Sequence, residues 1–148
     1  MCAFFIKCGD SMDEQYYMNI AISLAKKAYK KNEVPVGAVI VNNDKIIAKA
    51  YNKKELKNNP IYHAELIAIS KACKKLKTWH LDNCILYTTL EPCMMCSGAI
   101  EQSRIKKIVY GTENYNCGYI SNLSTIKTKN LNNNECAELL KKFFKSKR

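Results

Sequence analysis

The sequence predicts an α/β protein with a three-layer α/β/α architecture, in which one mixed central sheet of about five strands lies between helices. Segments with apolar residues at helical spacing alternate along the chain with short runs rich in valine and isoleucine, and 47% of the residues are hydrophobic. Interleaved helices and strands fold as a sheet with helices on its faces. The length of 148 residues fits one domain. We expect that domain at residues 12–148, after a mobile N-terminal extension of residues 1–11.

The first half of the chain predicts a helix, a hairpin and a second helix. Apolar residues recur over 17–28 at the spacing of one helical face, and Ser11 is the expected N-cap of this helix. Residues 36–41 and 45–51 have strand character, and the polar residues 42–44 between them form a turn. A polar loop then leads to the second helix. Its predicted inward positions are Leu66, Ile69, Cys73 and Leu76.

The second half predicts two buried strands and two further helices. Residues 84–90 and 107–111 are the strands, and Pro92 suits the start of the third helix, where a missing N–H costs nothing. The asparagine-rich connection after residue 111 has room for one more short strand. Asn134 is the expected N-cap of the last helix. The apolar face of that helix comprises Cys136, Leu139, Leu140, Phe143 and Phe144.

Cysteine usage and hydropathy indicate the compartment. Eight cysteines are compatible with a disulfide framework, but the N-terminal apolar patch is too short for a secretory signal. The chain is also longer than typical disulfide-stapled domains. No stretch approaches the ~20 apolar residues that span a bilayer. We therefore expect reduced thiols, a cytoplasmic location and no membrane partner.

The net charge of +11 has two explanations. Basic proteins often bind nucleic acid, because release of condensed counterions drives that binding. Lysine supplies nearly all of the positive charge, however, and asparagine is also abundant. Both residues have A-rich codons, so a biased genome explains the composition equally well. Composition alone leaves the choice open.

The pair Cys93 and Cys96, taken alone, fits a redox pair, half of a structural zinc knuckle, or chance. Together with His63 it points to a metal, because all three residues lie where predicted helices begin. Cysteines at i and i+3 share one face of the first turn, where the helix N-terminus favours thiolates. Three protein ligands are typical of catalytic zinc, which keeps its fourth position for water. We predict one Zn²⁺ per chain, bound by His63, Cys93 and Cys96.

Glu65 follows His63 by two residues and is the candidate catalytic residue. A zinc ion with two thiolates and a neutral imidazole carries no net charge, yet it still lowers the pKa of its water. A carboxylate beside that water can move protons. The alternative is an ordinary carboxylate in the first turn of a helix, where the dipole favours it. Only the two cysteines make the catalytic interpretation preferable.

These residues resemble the cytidine-deaminase-like superfamily, and in particular the bacterial tRNA-specific adenosine deaminases. The resemblance runs from about residue 13 to the C-terminus. The H-x-E and P-C-x-x-C patterns are typical of the superfamily, and the flanking segments favour the tRNA branch over guanine or cytosine deaminases. The matching segments are EVPVGA at 33–38, YN at 51–52, HAE at 63–65, TLEPCMMC at 89–96, GA at 98–99, SRI at 103–105, ECA at 135–137 and FF at 143–144.

The resemblance implies conversion of adenosine to inosine at the wobble position of a tRNA, within the anticodon stem-loop, with release of ammonia. Activated water attacks C6 of adenine, and Glu65 passes a proton to N1 and then to the departing amine. Asn52 matches a residue that contacts the flipped nucleoside, and Ala64 matches one whose backbone borders the base. The resemblance also implies a homodimer. Lysines of the second helix and the C-terminal tail would then contact phosphates.

Two positions depart from the family pattern. Asn114 stands where the family usually has aspartate, and Asn116 stands where it usually has lysine. Loss of the carboxylate eases approach of a nucleic-acid backbone, whereas loss of the lysine opposes it. Residues 119–134 also match poorly. These departures leave the choice of tRNA open.

Two other functions remain as alternatives at this point. The first is deamination of a free base or nucleoside, such as guanine or cytosine. The second is a catalytically silent zinc protein that binds RNA or serves as a partner subunit. An intact Glu65 disfavours the second, because a silent relative has no need of a proton shuttle.

Overall fold

The computed structural model describes residues 10–147, with side chains described from Asp13 onwards. Within this range five strands and four α-helices interleave, as predicted. They are α1 (Asp10–Lys30), β1 (Gly37–Asn42), β2 (Lys45–Tyr51), α2 (Ala64–Leu76), β3 (Cys84–Leu90), α3 (Met94–Gln102), β4 (Lys107–Thr112), a 3-10 turn (Ile120–Asn122), β5 (Lys127–Asn130) and α4 (Asn134–Ser146).

The beginning of the chain only partly falls within the described range. Asp10 and Ser11 already belong to α1, so Ser11 lies inside the helix rather than capping it. The remainder of the predicted extension, residues 1–9, lies outside the described residues. Of the helices that are described, none combines the length and the apolar character needed to cross a bilayer.

The strands form one mixed sheet in the order β2-β1-β3-β4-β5. β1 pairs antiparallel with β2 and with β3, whereas β4 pairs parallel with β3 and with β5. The short strand expected in the asparagine-rich connection is β5. A parallel neighbour requires the chain to cross back over the sheet. Residues 113–126 make this crossover, and their path brings them past the C-terminal end of β3.

Helices cover both faces of the sheet, which confirms the three-layer prediction. Alternate residues of β1 point to opposite faces. Ala38 and Ile40 pack in a core shared with α2 and α3. Val39 and Val41 pack in a second core that includes α1 and Cys136 of α4.

The inward face of α2 includes three of the four residues that hydropathy predicts, since Ile69, Cys73 and Leu76 pack against the core, but alanines form its most deeply buried stripe. Ala64, Ala68 and Ala72 are completely buried, whereas the predicted Leu66, Ile69, Cys73 and Leu76 are only half-buried. A helix that approaches a sheet closely needs small side chains at the contact, and a hydropathy pattern ranks large residues above alanine. The predicted residues therefore flank the buried alanine stripe, about a quarter to a half turn around the helix from it.

The last helix begins at Asn134, and its N-cap is Asn133 rather than the predicted Asn134. The Oδ1 atom of Asn133 accepts a hydrogen bond of 3.0 Å from the backbone N–H of Cys136. Three successive asparagines, 132–134, offer equivalent caps in the sequence. Of the predicted apolar face, Cys136 and Phe143 are buried, whereas Phe144 is 49% exposed.

The EVPVGA segment brings α1 onto the start of β1. A Cβ atom on Gly37 would collide with the backbone oxygen of Ala21 and with Ala25, so only glycine permits this approach. The N–H of Gly37 donates to Oγ1 of Thr89 at 3.1 Å. This contact fastens the first strand to the end of β3, beside the candidate site.

The buried carboxylate of Glu14 connects α1 to the last two strands of the sheet, β4 and β5. Glu14 accepts from Nζ of Lys107 at 2.9 Å and from Nζ of Lys129 at 2.7 Å. Burial raises the pKa of Glu14, but the hydrogen bonds and charges of Lys129 and Lys107 outweigh it. The net pKa therefore lies below the ordinary value of 4.5.

This cluster predicts an acid-sensitive contribution to stability. A carboxylate whose pKa is lower in the folded state stabilises the fold above its ordinary pKa, and the stabilisation is lost as pH falls through the lowered value. Glu14→Gln should lower the free energy of unfolding by about 1–2 kcal/mol at pH 7. The difference should shrink at pH 3, as measured by urea unfolding. Glu138→Gln, which removes an exposed pair with Lys141, should have little effect. An equal effect of Glu14→Gln at both pH values would contradict the prediction.

Candidate metal centre and substrate cavity

The three predicted metal ligands meet in the structure. Nδ1 of His63 lies 3.4 Å from Sγ of Cys96 and 3.9 Å from Sγ of Cys93. All three ligand atoms lie within 4.8 Å of one another. His63 is the N-cap residue of α2 and Cys93 that of α3, so α3 begins at Met94, two residues later than the predicted start at Pro92.

The spacing of these atoms fits a tetrahedral metal. Zinc–nitrogen and zinc–sulfur bonds of ordinary length, at a tetrahedral angle, separate nitrogen from sulfur by about 3.6 Å. The two observed nitrogen–sulfur separations bracket that value. Two sulfurs and one imidazole nitrogen are a donor set that zinc favours. The group can therefore hold a metal through three protein ligands, which leaves a fourth position for another molecule.

The local environment supplies an anionic sulfur for such a metal. Hydrogen bonds with Cys96 and with His63 lower the pKa of the Cys93 thiol to about 3, although burial opposes this. The hydrogen bond with Cys93 and burial raise the pKa of Cys96 above its usual range. Metal binding removes the proton from a coordinating thiol. Cys93 is thus ready as a thiolate, and Cys96 would release its proton when metal binds.

Glu65 lies in the first turn of α2 and is only 4% exposed. Burial raises its pKa to about 7, while its own backbone N–H and the neighbouring His63 partly oppose the shift. A surface carboxylate at a helix start would stay close to its ordinary pKa. Its buried position beside the candidate metal ligands, and the raised pKa that results, therefore distinguish Glu65 from an ordinary carboxylate in the first turn of a helix.

A cavity of about 200 Å³ opens beside the metal ligands, and His63, Glu65, Cys93 and Asn52 are among the residues that line it. The side chain of Asn52, directly after β2, is buried. Its amide makes no hydrogen bond to other residues of the described range. Ala64 lies between His63 and Glu65 in the chain but is completely buried, and it is not among the residues that line this cavity.

Asn114 also lines this cavity, whereas Asn116 is exposed outside it. Oδ1 of Asn114 accepts from the N–H of Cys117 at 3.1 Å. An aspartate would make the same contact, so asparagine keeps the turn and removes only the charge. Of the two departures from the family pattern, the one at 114 therefore changes the electrostatics of the cavity wall.

Three residues in or beside this cavity received no role in the sequence analysis. Glu91 and Lys54 line the cavity directly, and the buried Glu33 lies beside it in the wall of the next cavity. The available signal was a carboxylate inside a largely apolar run, as in Thr89-Leu90-Glu91-Pro92 and Glu33-Val34-Pro35-Val36. Such a carboxylate requires hydrogen-bond partners that only the folded chain supplies.

Known proteins match this chain over most of its length. The MafB19-like deaminase family matches residues 12–148. A tRNA-specific adenosine deaminase of Aquifex aeolicus is 41% identical over 147 residues, covering 93% of this chain and 97% of the relative. One from Buchnera aphidicola is 40% identical, covering 91% of this chain and 96% of the relative.

Solved structures share the architecture. A structure from studies of A-to-I editing by tRNA:A34 deaminases has a TM-score of 0.80 and 32% identity, covering 85% of this chain and 99% of the other. Guanine deaminase from Bacillus subtilis has a TM-score of 0.65 and 38% identity, covering 76% of this chain and 71% of the other. The predicted cytidine-deaminase-like fold is therefore confirmed.

Proposed function

The chain belongs to the tRNA-specific adenosine deaminases, and on that premise we propose that it hydrolyses adenosine to inosine at the wobble position of a tRNA anticodon. One observation carries the proposal: a His-Cys-Cys ligand group and the buried Glu65 face a common cavity. The reaction consumes one water and releases one ammonia. A tRNA substrate also implies that the enzyme acts in the cytoplasm.

We assign one Zn²⁺ to His63, Cys93 and Cys96. Bound zinc supplies Lewis acidity, which lowers the pKa of water to near neutrality. Glu65 is the general base and acid of the reaction. Its carboxylate takes one proton from the attacking water and delivers it to N1 of adenine. It then takes the proton of the hydroxyl now on C6 and gives it to the amine, so that the C–N bond breaks, ammonia leaves and C6 becomes a carbonyl. Burial raises the pKa of Glu65 to about 7, a value that suits a group which must both take and give a proton near neutral pH.

Asn52 and the backbone at Ala64 are proposed to bind the base and sugar of the extruded nucleoside. An enzyme that acts on a base in RNA takes it out of the stack into a pocket. The buried amide of Asn52 offers both a donor and an acceptor to that nucleoside. The role of Ala64 is supported by the match of the His63-Ala64-Glu65 segment to the family pattern.

The surroundings of the cavity favour a nucleotide chain over a free base. Lys54 lies at its mouth, and a second cavity of about 550 Å³ shares Asn52 and Lys54 with it. Lys31 and Lys147 also line the second cavity. Lysines at these positions can neutralise phosphates of the nucleotides that flank the target adenosine. A free base carries no phosphate for these lysines to contact.

We further propose that the enzyme is a homodimer. Met94 and Met95 follow the ligand Cys93 directly and are 65% and 36% exposed, and Ile61 is 52% exposed. Exposed apolar side chains near a site often belong to an interface. Sedimentation equilibrium should give twice the chain mass of 16.9 kDa; a monomer at micromolar concentration would contradict the proposal.

The proposed activity can be tested with short RNAs. The purified chain should convert adenosine to inosine in an anticodon stem-loop when the adenosine occupies the wobble position. It should not do so when adenosine is moved to a neighbouring loop position. Turnover of free guanine or cytosine, without turnover of the RNA, would favour the free-base alternative. Guanine is the first free base to test, because the chain is similar to a guanine deaminase. Binding of RNA and zinc without turnover would favour a silent partner subunit.

A further inference from the structure

Two loops border the proposed nucleoside cavity from opposite sides. The first loop, residues 52–59, contributes Asn52 and Lys54, and the second loop, residues 113–119, contributes Asn114. Neither loop contains a helix or strand. The positions of their side chains therefore depend on contacts that fasten the loop backbone to the rest of the fold.

Glu33 fastens the first loop. It lies between α1 and β1 and is completely buried. One carboxylate oxygen accepts from the N–H of Glu55 at 3.0 Å, and the other accepts from the N–H of Leu56 at 2.6 Å. Two successive amides of the loop are thus bound to a single carboxylate.

Glu91 fastens the second loop in the same way. One oxygen accepts from the N–H of Asn114 and the other from the N–H of Ile120, both at 3.1 Å. These two amides lie at the two ends of the loop. A Cβ atom on Gly118 would lie 2.5 Å from the carboxyl group of Glu91, so the loop closes tightly over the carboxylate.

We propose that Glu33 and Glu91 are positioning residues, which hold the two loops in the conformation that receives the nucleotide. The proposal rests on the proposed function for the identity of that ligand. Glu33 is completely buried and Glu91 is half-buried. A carboxylate shielded from solvent is left partly unsatisfied when it loses a hydrogen bond, so each glutamate resists movement of both of its amides. Loops that are fixed before binding lose less conformational entropy when substrate arrives.

Hydrogen exchange measures this role without reference to activity. In Glu91→Gln, one carboxylate oxygen is replaced by an amide NH₂ that cannot accept. Of the N–H groups of Asn114 and Ile120, the one that faces the NH₂ should then exchange at least about tenfold faster, since its hydrogen bond to a charged group is lost. The other keeps a neutral oxygen as its acceptor and should be accelerated less. The N–H groups of Glu55 and Leu56 should be unaffected. In Glu33→Gln the pattern should be reversed.

Kinetics with the anticodon stem-loop supply the second measurement. Each variant should raise KM about tenfold, while kcat stays within about twofold, because pre-organisation is lost but the reacting groups are unchanged. Gly118→Ala should reproduce the Glu91→Gln pattern, because the added methyl group displaces the carboxylate. Glu101→Gln is the matched control, since Glu101 is exposed on α3; it should change neither exchange nor KM.

Three results would overturn the proposal. They are unchanged exchange at the named amides, equal acceleration throughout the chain, or a fall in kcat with KM unchanged. The second result would indicate a general role in stability, and the third a direct role in the chemistry. If the wild-type chain does not deaminate RNA, the proposed function fails, and the exchange measurement still decides whether the two glutamates hold the loops.

Discussion

Glu65→Gln is expected to reduce inosine formation by about 10²–10⁴-fold, the usual contribution of a general acid–base group. Glutamine has nearly the same volume as glutamate but can neither take a proton from water nor deliver one to N1. The metal should remain bound, because Glu65 is not among the three ligands. Inosine in the anticodon stem-loop and zinc by mass spectrometry are measured on the same samples.

The buried position of Glu65 makes the isosteric change preferable to a truncation. Glu65→Ala would also leave a hole in the cavity wall, and a loss of activity would then have two explanations. If both variants lose activity and keep one zinc per chain, proton transfer is the lost step. Activity close to wild type in Glu65→Gln would refute the role proposed for Glu65.

Cys96→Ser is expected to remove the metal and, with it, the activity. Cys96 is completely buried, so solvent water cannot enter and take its place as a ligand when serine is substituted. A hydroxyl is a far poorer zinc ligand than a thiolate. Because a metal that binds only the folded chain stabilises it, the variant should also unfold at a lower temperature than the zinc-loaded wild type.

Two comparisons make this result specific. Cys73→Ser changes a half-buried cysteine of α2 and should retain one zinc per chain. Treatment of the wild type with a chelator should reproduce both the lost activity and the lower unfolding temperature of Cys96→Ser. Stoichiometric zinc in Cys96→Ser, or full activity in a metal-free preparation, would contradict the proposed centre.

The candidate metal-binding group could be predicted because its chemistry is local in sequence. Cys93 and Cys96 are spaced so that any helix beginning there brings both sulfurs to one side. His63 needed only to begin the neighbouring helix. The positions of three strands were similarly accessible, because the runs that became β1, β3 and β4 are continuous and apolar. The short β5 was only suspected, since three of its four residues are exposed.

Other features depend on contacts between distant segments, which no local pattern encodes. The alanines of α2 are selected by the closeness of the sheet, and their own hydropathy does not mark them. Glu33 and Glu91 look like ordinary charged residues until loops from 22 to 29 positions away supply their partners. The cap at Asn133 was missed because adjacent asparagines are equivalent in the sequence.

The two outer strands of the sheet have a consequence for how copies of this protein can meet. Lys45 and Lys49 are exposed on β2, and Lys127 and Lys129 are exposed on β5. Charged side chains along a free edge discourage the addition of a further strand. Both borders of the sheet are therefore protected against edge-to-edge aggregation. Any specific pairing of two chains is left to the helical surfaces, including the one that carries the exposed methionines.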